Sequence, residues 1–126
     1  MEYYIGIDLG TSSMKAMLVD EVGIIQNTVT KEYPVFYPRS GWSEQNASDW
    51  WSAICEALPE LLHGFDGQDV RGIGVAGQMH GLVVLDKEDR VIRPVILWND
   101  GRCDSETAVA PSSIKIFYTE KAKIPE

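Results

Sequence analysis

Two apolar runs joined by a short hydroxyl-rich turn, in "YIGIDLGTSSMKAMLVD" at residues 4–20, constrain this chain more than any other feature. Residues 3–8 and Met14 to Val19 are short and rich in apolar or β-branched side chains, as the strands of a hairpin are. After the turn "DEVG", a third such run from Ile24 to about Thr30 extends the hairpin to a three-stranded antiparallel meander. Asp8 ends the first run, and a carboxylate buried there would cost several kcal/mol unless paired or bound to a cation. A partner for Asp8 is therefore expected.

The prolines and glycine of "YPVFYPRSGWSEQ" break any regular period, and "NASDWWSAICEALPELL" then predicts an amphipathic helix. Asn46 stands where a cap belongs and Asp49 in the first turn. Trp50, Ile54, Leu58 and Leu61 repeat at helical spacing beside Trp51, and Pro59 predicts a kink. The loop "HGFDGQD" leads to "VRGIGVAG", read as a buried strand, then "QMHG", a strand "LVVLD", a turn "KEDR" and an apolar run "VIRPVILW". Strands on both sides of a helix predict an α/β or α+β domain. From Asp104 to Glu126 the pattern reads as a helix start, a short apolar piece and a frayed tail.

The 126 residues, 44% hydrophobic and 24% charged, are enough for one ordinary core. The net charge of −8 repels a phosphate backbone and an anionic bilayer, so neither nucleic acid nor membrane is the expected partner. No apolar run is long enough to span a bilayer, and the cytoplasm is the expected location. Cys55 and Cys103 lack metal-site spacing and are expected to be buried thiols.

Three clusters carry candidate chemistry. In "DLGTSS", Asp8, Gly10, Thr11, Ser12, Ser13 and the nearby Lys15 can form a concave site for phosphate oxygens, with Asp8 holding Mg²⁺ directly or through water; an ordinary hairpin turn is the alternative. In "GQMHG", Gln78, Met79 and His80 sit at a strand end, two polar groups and a soft apolar wall suited to a polyhydroxylated ligand; a structural histidine is the alternative. In "LWNDGRC", Trp98, Asn99, Asp100 and Arg102 can wall a sugar pocket, or a surface pair of Asp100 with Arg102 can stand beside a core tryptophan. Ligands of open sheets collect at strand ends, so three such clusters on one small sheet point to a common crevice.

"YIGIDLGTSSMKAMLVD", "GWSEQNASDWW", "GIGVAGQMHGLVVLD" and "RPVILWNDGRC", in this order, resemble the amino-terminal part of the FGGY carbohydrate kinases from residue 2 to about 106. The resemblance implies a ribonuclease-H-like α/β fold, shared with actin and sugar kinases, and transfer of the γ-phosphoryl group of ATP to a sugar hydroxyl with Mg²⁺. It implies that Asp8 stands at the phosphate and metal, that Thr11 and Ser12 line the phosphate turn, and that Met79 and His80 contact the sugar. Asn99, Asp100 and Arg102 would lie near that pocket, and "QMHG" favours xylulose as the sugar. Residues 1–106 form the family domain in this reading. Residues 107–126 form an atypical tail, of the kind a truncated or frame-shifted product would carry.

Family members are several times longer, and their aspartate base, much of the adenosine site and a second ATPase-like domain lie beyond residues of this pattern. The 126 residues alone are therefore expected to be inactive and to associate as a homo-oligomer through uncovered apolar surface. A non-catalytic module that binds a sugar, an anion or a partner chain is the alternative of a different class.

Overall fold

The computed structural model describes residues 1–105. Strands β1 (Tyr3–Leu9), β2 (Ser13–Asp20) and β3 (Ile25–Glu32) form the antiparallel meander expected from the opening runs. Asp20 closes its second turn. The carboxylate accepts from the amides of Val22 and Ile24 and from the Gln26 side chain, which holds its pKa below the usual carboxylate value. A two-residue strand β4 (Glu44–Gln45) precedes helix α1 (Ala47–Leu61), and β5 (Val70–Gly77) returns parallel to β1. The main sheet has the order β3-β2-β1-β5; a second, two-stranded sheet pairs β4 with β6 (Val95–Ile96). The architecture is a mixed α/β sheet with a covering helix.

Alternation along each strand decides what faces the helix. Ile5, Ile7, Met14, Ala16, Leu18 and Val29 are buried against Ala53, Ala57 and Leu61 of α1. Trp50, Ile54 and Leu58 flank that stripe, while Trp51 is exposed. Asn46 takes the extended N-cap conformation without a side-chain cap bond, and Pro59 lies inside the helix. At the other end, the Asn27 side chain of β3 donates to the carbonyls of Glu60 and Leu61, and Lys31 pairs with Glu60 at 2.6 Å. The Asn27 bonds replace amide donors that a helix C-terminus lacks.

Four expectations are corrected here. "VRGIGVAG" is a strand, but Ile73 and Val75 of β5 are exposed: they share the face of Ile5 and Ile7, whereas α1 packs over β2 and β3. "LVVLD" makes only isolated bridges, Leu82 with Ile96 and Leu85 with Val91, and "VIRPVILW" shortens to Val95–Ile96 behind Pro94, which has no amide to donate. Cys55 and Cys103 are exposed. The reading of the tail beyond Ser105 lies outside the described residues. Among those described, no helix is long and apolar enough to cross a membrane.

Candidate functional site

Asp8 sits one residue before the end of β1, in register with Lys15 of β2 and Ala76 of β5. Alternation turns it away from the α1 face, and the side chain is exposed. Its expected burial is thus not found. Its role cannot rest on desolvation; it rests on what stands beside it.

That neighbour is the turn of residues 10–13. The Gly10 amide donates to the Ser13 carbonyl at 2.9 Å, and a β-carbon on Gly10 would lie 3.0 Å from that same oxygen, so a side chain there would push the turn open by a few tenths of an ångström. The amides of Thr11 and Ser12 make no backbone hydrogen bond to the described residues. Tyr33 clamps the turn from behind: its amide donates to the Ser12 carbonyl at 3.1 Å and its hydroxyl to the Gly10 carbonyl. Burial, and then the negative charge of Asp8, push the Tyr33 phenol up to about 12.

The second and third clusters meet the turn at one hydroxyl. Thr11 Oγ1 donates to Gln78 Oε1 at 3.2 Å and accepts from the Trp98 indole at 3.0 Å. The Gln78 amide donates to the Leu9 carbonyl at 2.8 Å, so the loop after β5 starts against the end of β1. Met79 and His80 follow, both exposed. His80 has φ of +62°, a left-handed conformation that costs a non-glycine residue roughly 1 kcal/mol or more. Such strain persists where the surrounding structure imposes it.

Trp98 is exposed and free to present a ring face, and Asn99 is exposed beside it. Asp100 and Arg102 are placed differently. The Asp100 side chain is fully buried, accepting from the Arg102 guanidinium at 2.7 Å and from the Ser43 amide at 2.7 Å. Hydrogen bonds from Arg102 and from the Ser43 amide, and then the Arg102 charge, hold Asp100 well below the usual carboxylate range. Arg102 also pairs with Glu44 at 2.8 Å and lies 3.7 Å over the Trp42 ring. The pair is buried and engaged, where a surface pair was one of the alternatives. It fastens the segment carrying Trp98 to the β4 strand.

Sequence reasoning missed Gln45, Tyr33 and Trp50, which support this site from below. Their signal was faint: "SEQ" reads as irregular loop, and only the pairing of β4 with β6 puts Gln45 under the turn.

Mg²⁺ fits Asp8 in a limited way. Among the described residues no group of three or more His, Cys, Asp or Glu side chains could cage a metal. A lone exposed carboxylate beside two open amides suits an ion that keeps several waters and bridges to phosphate oxygens.

The sequence matches the N-terminal domain of the FGGY family of carbohydrate kinases over residues 3–116. It is 45% identical to the xylulose kinase of Escherichia coli over 111 residues, 88% of this chain and 23% of that protein. The xylulose kinase of Rhodospirillum rubrum superposes with a TM-score of 0.79 at 30% identity, covering 92% of this chain and 23% of its own. A gluconate kinase from Lactobacillus acidophilus does so with a TM-score of 0.81 at 28% identity, covering 94% and 24%. The chain thus spans less than a quarter of each of these proteins. The expected sugar-kinase fold is therefore found, and this chain belongs to the FGGY family of carbohydrate kinases.

Proposed function

We propose that these residues supply the phosphate turn and one sugar-facing wall of an ATP-dependent kinase that, in its full-length form, converts D-xylulose to D-xylulose 5-phosphate. The supporting observation is the Thr11 hydroxyl, bonded to Gln78 on one side and Trp98 on the other, which joins the turn to both segments that carry the candidate sugar contacts. Similarity to xylulose kinases favours xylulose, and a polyhydroxylated substrate suits the exposed Met79, His80, Trp98 and Asn99. A cytoplasmic location goes with ATP as the phosphoryl donor.

In this reading the open amides of Thr11 and Ser12, with the Ser12 and Ser13 hydroxyls, orient phosphate oxygens. Lys15, in register with Asp8, adds positive charge at the same end of the sheet. Asp8 places its carboxylate where Mg²⁺, when bound, neutralises the charge that develops on the transferring phosphoryl group. His80 hydrogen-bonds a sugar hydroxyl, and the Trp98 ring packs on the sugar's apolar face. Asp100 and Arg102 hold that wall in place and do not touch the sugar.

A chimaera carrying residues 1–106 followed by the remainder of the Escherichia coli xylulose kinase tests the proposal by ADP release. D-xylulose should drive turnover well above D-gluconate or glycerol, while the 126-residue chain alone shows no sugar-dependent rate. A chimaera that folds but prefers another of these substrates would contradict the xylulose assignment; turnover by the chain alone would contradict the division of the machinery.

A further inference from the structure

We infer that Gln45 is a positioning residue that sets the phosphate turn against the sugar wall; the inference rests on the kinase reading above. Gln45 is only 1% exposed. Its Nε2 donates to the Thr11 carbonyl, and its Oε1 accepts from the Trp50 indole at 3.0 Å and from Gln78 Nε2 at 3.1 Å. One carboxamide therefore ties three elements together: the turn after β1, the first residue of the loop after β5, and helix α1.

A buried amide is tolerated only when its polar atoms are satisfied, and an apolar side chain of the same length would serve packing equally well. The geometry goes further than packing. Gln45 grips the backbone of Thr11, while the Thr11 hydroxyl grips Gln78 and Trp98, so the turn and the two segments that carry the sugar contacts share one hydrogen-bonded path. Gln78 closes it with a second bond to the Gly10 carbonyl at 3.4 Å. Without Gln45 each half keeps its own ligand contacts but loses its registration with the other. Reaction between two bound partners is sensitive to such misplacement where binding of either is not.

The test is Gln45→Met, which keeps length and removes the hydrogen bonds. In the chimaera, kcat should fall roughly tenfold or more while the KM values for sugar and ATP stay within about threefold. In the 126-residue chain labelled with ¹⁵N, the Trp50 indole resonance should move through its direct bond and the Trp98 resonance through Thr11, while that of the exposed Trp51 stays. Should Gln45→Met not fold, Gln45→Glu keeps the acceptor oxygen and withdraws the donor to Thr11, and the same kinetic split is expected of it. An active parent chimaera whose Gln45 variants keep kcat, or a Trp98 resonance that does not respond, would overturn the inference and leave the kinase reading standing. An inactive but folded parent chimaera would overturn both.

Discussion

At the scale of single residues, surroundings decide what each polar group does. Asp8 and Asp100 are both aspartates near strand ends, yet one is exposed beside an open turn and the other is sealed beneath a guanidinium and an amide. Asp100→Ala would leave Arg102 and the Ser43 amide without their buried acceptor, a loss of about 2–4 kcal/mol measured by denaturant unfolding. The pH dependence has a definite sign. Because the folded pKa of Asp100 lies below its ordinary value of 3.8, the unfolded chain binds the proton first as pH falls. The stability from this pair is therefore present above about pH 4 and lost below it, and Asp100→Asn should flatten that part of the acid profile. In the sequence, the proximity of Asp100 and Arg102 was legible from their spacing. Their burial was not, because it depends on Glu44 and Trp42 arriving from a distant segment, β4 and the residues before it. The expected burial of Asp8 failed for the opposite reason: a strand alternates, and its neighbours Ile5 and Ile7 already claim the core face.

At the scale of elements, local pattern was a good guide wherever an element finds its partner nearby. The meander and α1 could be read because hairpin pairing and helical periodicity are short-range properties. The centre of the helix stripe was harder to foresee: the large Trp50, Ile54 and Leu58 flank the contact, and the small Ala53 and Ala57 let the helix approach the sheet. Leu61 fills that contact at the C-terminal end with no exposed surface. Leu61→Ala should cost about 2–4 kcal/mol in thermal or denaturant unfolding, with the far-ultraviolet spectrum of the native state unchanged. A loss below about 1 kcal/mol would mean that α1 does not depend on this contact. The runs after β5 misled because apolar composition alone does not make a strand; without a continuous partner ladder "LVVLD" is reduced to single bridges.

At the scale of the whole molecule, the second small sheet gives the candidate site its shape. Pairing of β4 with β6, reinforced by the Leu97 amide on the Ser43 carbonyl and the Gly101 amide on the Gly41 carbonyl, carries Trp98 to the Thr11 hydroxyl and Gln45 to the Thr11 carbonyl of the turn at residues 10–13. That three separated motifs would converge was legible from their place at strand ends, but not on one sheet as expected: the Trp98 cluster follows β6, which pairs with β4 in the second sheet. The path that joins them, through Thr11 and Gln45, was not, since it runs through side-chain atoms of a loop with no periodic signal. Ile73 and Val75 remain exposed on the helix-facing side of β5. The central claim is that the site has a phosphate end at Asp8 and a sugar end at His80. Steady-state kinetics of Asp8→Asn and His80→Ala in the chimaera test it most directly. Asp8→Asn should lower kcat by roughly two orders of magnitude or more and barely change the sugar KM, whereas His80→Ala should first raise the sugar KM. If Asp8→Asn raised the sugar KM and left kcat intact, the two ends would be inverted and the account contradicted.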